Sequence, residues 1–172
     1  VRTARMGGRG SVVAFGGSYG GILAAYLRIK YPNVFDAALA ASAPIPQVIG
    51  LTPPTSFYQA VTEDAANADA RCPDLVRAGF AAAVKKIASA AGRAEVAKAF
   101  GLCSFPDKGA DHFLQFARNA WTEVAMCDYP YASNFLAQLP ANPINAMCDY
   151  VVNASDPLHG LGRATRLPYA QG

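Results

Sequence analysis

The chain has 172 residues, a formal charge of +3, 52% apolar side chains and only 16% charged ones. That balance excludes a disordered segment, and the length is that of one ordinary domain with a real core. The cations form no run beyond Lys85-Lys86, so the basic stripe of a nucleic-acid binder is missing, and no apolar stretch reaches the roughly 20 residues that span a bilayer.

The first ten residues, with Gly7, Gly8, Gly10 and three arginines, read as a loose end. Ser11 to Phe15 is a β-branched and aromatic run, as in a buried strand. Gly16-Gly17-Ser18-Tyr19-Gly20-Gly21 punctuates it. From Ile22 to Tyr31 apolar residues recur at helical spacing, and Pro32 stops the helix. Ala37 to Ser42 reads as a second buried strand, closed by Ala43-Pro44. Strand, tight turn, helix and strand make a βαβ unit, which implies a parallel sheet.

Near Thr52-Pro53-Pro54 the character changes, and the remainder of the chain reads as helices. Pro73 to Ala91 predicts one helix capped by Gly92, and Arg93 to Phe100 a short one ending at Gly101. Asp111 to Met126 puts Phe113, Phe116, Ala117, Ala120, Trp121 and Val124 on one stripe, broken by Asp128-Tyr129-Pro130-Tyr131. Asn142 is placed to cap a helix that starts at Pro143 and runs to about Val152. The tail from Asp156 is rich in Gly and Arg and sets no clear element. The fold class is α/β: residues 1–52 as part of a sheet core, residues 53–172 as a helical domain. One βαβ unit leaves strand edges open, so either the helices or further chain must cover it.

Gly16-x-Ser18-x-Gly20 follows a strand and opens a helix, the context of a nucleophile elbow. The turn is sharp enough to strain the serine backbone, and glycines two before and two after give room. The Ser18 hydroxyl is lifted clear, and the helix start aims N–H groups, Tyr19 first, at a developing oxyanion. The bland alternative is a glycine-rich turn carrying a solvated serine. A phosphate loop would need a Lys after the glycines. A dinucleotide fingerprint would need Gly where Ser18 stands.

A serine nucleophile needs a histidine base and an orienting carboxylate. His112 reads as a helix-start surface residue, and His159 lies in the weak tail. Neither completes a triad. The cysteines at 72, 103, 127 and 148 have no metal-ligand spacing, so no metal or other cofactor is expected. Disulfides or buried thiols remain. Asn153-Ala154-Ser155 is a glycosylation sequon, informative only on a secretory route.

The residues from Val13 through Arg28, with Lys30-Tyr31-Pro32 and Ala38 to Pro44, resemble the lysosomal Pro-X carboxypeptidase and dipeptidyl peptidase II family of serine peptidases. A second block agrees: Phe116 to Trp121, Ala125 to Tyr131, Asn134-Phe135-Leu136 and Leu139 to Pro143. The likeness covers roughly residues 11 to 153, and its wording leans toward the dipeptidyl peptidase II branch. It implies an α/β-hydrolase core with a helical cap, Ser18 as nucleophile, and cleavage after proline or alanine near a peptide terminus. The family's aspartate and histidine would lie beyond Gly172 and its first strands before Val1. The chain is therefore expected to be an internal fragment, inactive alone.

The resemblance also puts Ile22 beside a proline pocket, where plain helix packing is the alternative. It sets Asp128, Tyr129 and Tyr131 toward the substrate, with Asp128 meeting an amine, or else serving as a structural carboxylate at a turn. It pairs Cys72 with Cys148, gives Cys103 a partner outside the chain, and leaves Cys127 a buried thiol. A lysosomal, vacuolar or secreted glycoprotein would follow, with peptides as partners and a possible homodimer. The rivals are an esterase or lipase on the same fold, and a catalytically dead product acting as an interaction module.

Overall fold

The computed structural model describes residues 10–48 and 50–169, so the expected loose end at residues 1–9 lies outside what is described. Two units separate between Ser56 and Phe57.

In the first unit, β1 (Val13–Gly17) leads through one residue into α1 (Tyr19–Lys30) and then β2 (Ala37–Ala41). The strands pair in parallel, from Val13 opposite Ala37 to Gly17 opposite Ala41. The expected βαβ topology is therefore present. Asp36 fastens the entry to β2: its Oδ2 accepts from the Val12 N–H at 2.8 Å, and its own N–H donates to the Val12 carbonyl at 2.8 Å. The helix begins at Tyr19, as the elbow reading expects, three residues before its apolar periodicity starts at Ile22. Tyr19-Gly20-Gly21 carries no periodic signal, yet it forms the first turn. A single turn-length helix, α2 (Ile45–Val48), comes after β2.

The expectation of buried strands is corrected. Phe15 and Leu39 are register partners, and they are 74% and 52% exposed. In a two-stranded sheet α1 can cover only one face. On that side Gly21, Ile22 and Ala24 are buried.

The second unit is helical: α3 (Ser56–Ala68), α4 (Cys72–Lys86), α5 (Ala90–Phe100), α6 (Ala110–Met126), α7 (Pro143–Val152) and α8 (Pro157–Arg166). Phe100, Phe113, Val124, Met147 and Leu161 are among its fully buried side chains. The predicted α6 stripe holds, with Phe113, Ala117, Ala120, Trp121 and Val124 all buried.

The tail from Asp156 is not irregular. It forms α8, which packs on α4, α5, α6 and α7 and sits at the centre of the unit. Its glycines permit close approach rather than flexibility. A Cβ on Gly162 would stand 2.3 Å from the Ala99 carbonyl oxygen.

The two helices expected over residues 73–91 and 93–100 are present as α4 and α5, but the break between them comes before Gly92, not at it. The chain breaks at Ile87, and Ser89 caps α5 by accepting from the Gly92 N–H at 3.0 Å. Gly92 thus lies in the first turn of α5 instead of ending a helix. Gly101 does end α5, in the left-handed conformation at φ 65°.

The expectation that Asn142 caps α7 is corrected: its side chain makes no capping bond and its φ is 47°. The capping oxygen belongs to Asp128, whose Oδ1 accepts from the Ile144 N–H at 3.1 Å. Cys72 and Cys148 are disulfide-bonded, tying the start of α4 to α7.

Candidate active site

Ser18 is the one residue between β1 and α1, and its backbone lies at φ 54°, ψ −125°. That region is sparsely populated for any residue with a Cβ, and such strain costs about 1–3 kcal/mol. Two hydrogen bonds hold it. The Ser18 N–H donates to the Ala41 carbonyl at 3.0 Å, and the Ile22 N–H donates to the Ser18 carbonyl at 3.1 Å. The side chain makes no capping bond to its own helix, so the hydroxyl is not consumed there. Ser18 is exposed.

The glycines divide sharply. A Cβ on Gly16 would lie 1.9 Å from the Gly20 carbonyl oxygen, and one on Gly21 would lie 2.8 Å from the Ala41 carbonyl oxygen. Gly17 and Gly20 would meet nothing within 4 Å. The expectation that the glycine two after the serine makes room is corrected: Gly21, beside β2, has that role.

Tyr19 is the first helical residue, so its N–H has no intrahelical acceptor. No acidic residue in the first turn offsets the positive end of α1. The geometry therefore offers a nucleophilic hydroxyl beside one backbone donor. The Tyr19 ring is 66% exposed. The structure adds a second strained serine. Ser42 comes directly after β2 at φ 47°, at the same carboxyl end of the sheet as Ser18. Only a strand boundary in the right place would have shown it in the sequence.

Ile22 is 2% exposed, on the buried side of α1. His112 is exposed in the first turn of α6. The Nδ1 of His159 lies 2.8 Å from Asp156 Oδ2, while Asp156 Oδ1 accepts from the Leu158 N–H and caps α8. The His159 hydrogen bond, then that N–H, hold the Asp156 carboxyl below its usual range. This pair is a helix-start arrangement on the second unit's surface.

Asp128 is exposed and already engaged as the α7 cap. Tyr129 and Tyr131 stack, with ring centroids 5.4 Å apart and planes 7° apart. Tyr129 is half-buried against the core, and Tyr131 is 62% exposed. Cys103 is exposed with no disulfide partner among the described residues, and Cys127 is a buried thiol whose pKa burial pushes up. Asn153 is exposed at the end of α7. Among the described residues no helix is long and apolar enough to cross a membrane, and no three His, Cys, Asp or Glu side chains group to hold a metal.

Residues 2–168 match the family model described as serine carboxypeptidase S28. Among curated proteins, lysosomal Pro-X carboxypeptidases of Pongo abelii and Homo sapiens are each 41% identical over 143 residues, which is 83% of this chain and 29% of theirs. A Caenorhabditis elegans protein called prolyl carboxy peptidase like protein 5 is 36% identical over 145 residues, 81% of this chain and 28% of its own. The chain thus spans less than a third of the relatives it matches. The strand, strained serine and helix N-terminus lie inside the matched region, and the chain belongs to the serine carboxypeptidase S28 family.

Proposed function

We propose that Ser18 is the nucleophile of a serine exopeptidase that cleaves a proline-linked bond near a peptide end. The observation that carries the reading is the Ser18 backbone, held in a strained turn at the N-terminus of α1 with its hydroxyl outside the helix cap. The names of the Pongo abelii and Homo sapiens relatives support release from the carboxyl end. Release of an amino-terminal dipeptide after proline or alanine is the finer alternative that the sequence wording favours. A lysosomal setting for the whole protein follows from those same names, and the disulfide suits it. Glycosylation at Asn153 and assembly as a homodimer belong to the same reading, as does the division into a core over residues 1–52 and a cap over residues 53–172.

In the reaction Ser18 Oγ attacks the carbonyl carbon of the scissile bond. The carbonyl oxygen takes the electron pair, and the Tyr19 N–H stabilises it. A base takes the Ser18 proton and returns it to the leaving amine, giving an acyl-enzyme that water then hydrolyses. We assign the base and its carboxylate to chain outside these 172 residues, so the isolated chain is expected to be inactive. His159 is committed to Asp156 in a helix cap.

The test is peptide hydrolysis and fluorophosphonate labelling by the intact protein and its Ser18→Ala variant. Loss of a nucleophile of this kind lowers kcat by about 10⁴-fold or more. Retained cleavage in Ser18→Ala overturns the reading. Hydrolysis of short acyl esters without cleavage of proline-containing amides points to the esterase. Comparing products from peptides blocked at either end separates carboxypeptidase from dipeptidyl peptidase action.

A further inference from the structure

In the helical unit, α3, α4 and α6 frame a cavity of about 180 Å³. Its walls are mostly apolar, formed by Val61, Ala65, Val76, Phe80 and Trp121. A cavity of this size takes one large apolar side chain, since sites for drug-sized ligands start at about 300 Å³.

One side chain gives the cavity a sign. The Arg118 guanidinium stands at its edge, 5.6 Å from the centroid of the Tyr58 ring. Stacking on the ring orients the fork without using its hydrogen bonds. Arg118 has no carboxylate partner among the described residues, whereas Arg77 on the same rim is paired with Asp74 at 2.6 Å. The first turn of α4 also lines the cavity through Pro73, but Asp74 in that turn offsets the positive end of the helix, which leaves Arg118 as the uncompensated charge at the cavity. Trp121 is 6% exposed, and its indole N–H has no acceptor among the described residues.

Phe80 and Arg118 also line an adjoining groove of about 700 Å³, with Val84, Leu114, Gln115 and the carboxylate of Asp111. Arg118 therefore stands where the apolar cavity and the groove adjoin. We propose that this cavity binds the apolar C-terminal residue of a peptide. The side chain fills the space between α3, α4 and α6, the terminal carboxylate pairs with Arg118, and the preceding residues run along the groove. The choice of a peptide as the source of the carboxylate rests on the exopeptidase reading. The cavity and the cation at its edge do not.

The test uses the intact protein carrying Ser18→Ala, so that nothing is turned over. N-acetylphenylalanine and its primary amide are titrated by calorimetry. The acid is expected to bind about tenfold more tightly than the amide, the scale of one charge-assisted bidentate contact. Arg118→Gln is expected to erase that difference, and Val76→Trp, which fills the cavity, to abolish binding of both. Thermal transitions of the variants confirm that they fold. Free phenylalanine adds an ammonium group and is expected to bind more weakly; binding as tight as the acetylated acid overturns the assignment to a peptide end. Equal affinities for acid and amide, an unchanged ratio in Arg118→Gln, or no saturable binding overturn the site. Failure of the site leaves Ser18-dependent cleavage untouched. Cleavage that survives Ser18→Ala sinks the exopeptidase reading but leaves any measured binding in place.

Discussion

The elbow unit and the helical unit use glycine for opposite ends. In the elbow, Gly16 and Gly21 let the backbone fold back on itself around a serine in a strained conformation. In the helical unit, Gly92 and Gly162 let one segment lie against another in relaxed, helical geometry. Burial divides the same way. Phe15 and Leu39 on the strands are largely exposed, while Phe113 and Met147 are fully buried. The helical unit thus has a core of its own. The elbow is held by backbone hydrogen bonds and by α1 on one face of its sheet. A strained site needs surroundings that over-determine it, so its chemistry is the part most sensitive to small changes.

The largest effect is expected at Gly16. A Cβ there meets the Gly20 carbonyl oxygen at 1.9 Å; the backbone fixes the Cβ and carries the oxygen, so no side-chain rotation relieves the clash. Gly16→Ala must displace α1 from Ser18, and a shift of about 1 Å at a catalytic group costs on the order of 10²-fold in rate. Gly20→Ala meets nothing within 4 Å and sits in a helix, where Ala is favoured over Gly by about 1 kcal/mol. Fluorophosphonate labelling rates of the two variants in the intact protein measure the contrast. Equal loss in both would mean that glycine serves flexibility here, not close approach.

The disulfide is next. Cys72 and Cys148 are 76 residues apart, and a loop of that length implies about 4 kcal/mol of stabilisation through the unfolded chain. Replacing both by Ala is expected to lower the denaturation midpoint of the helical unit by a corresponding amount. Replacing Cys127, a buried thiol outside the cross-link, by Ala is expected to lower the unfolding free energy by less than the loss of the disulfide does. If the two changes are equally mild, the helical core is strong enough that the cross-link adds nothing.

The two units are unequally legible in the sequence. The elbow can be read because its chemistry is local: a strand, a serine between glycines and a helix lie within about 20 residues of sequence. The parallel pairing of β1 with β2 follows from the same stretch. The tail cannot be read. Its Gly160, Gly162 and Arg163 have the composition of a linker, and only the facing surfaces of α4, α5 and α7 show why small residues belong there. The place of the break between α4 and α5 is hidden because alanines on either side of Ser89 continue the helical pattern past it to Gly92. The cap of α7 points to Asn142 in the sequence because the true partner, Asp128, is 16 residues from Ile144 and no sequence window holds both.

That cap gives the smallest effect and the clearest separation of roles. Asp128 Oδ1 accepts from the Ile144 N–H, and a helix cap of this kind is worth about 1 kcal/mol. Asp128→Ala removes the acceptor and is expected to cost that amount by chemical denaturation. Asp128→Asn keeps a carbonyl oxygen in the same place, so its cost is expected to be no more than a few tenths of a kcal/mol, roughly the difference among good caps. The role read from the family, an anion for a substrate amine, makes the reverse demand. There Asp128→Asn removes the charge, raises KM for peptides with a free amino end, and leaves KM unchanged for blocked ones. Stability and KM measured on the same two variants decide the matter. An Asn variant as unstable as the Ala variant breaks the cap assignment, because only the charge separates Asn from the native side chain. An Asn variant that is stable and unchanged in KM for free and blocked peptides leaves Asp128 as a link between α6 and α7 and nothing more.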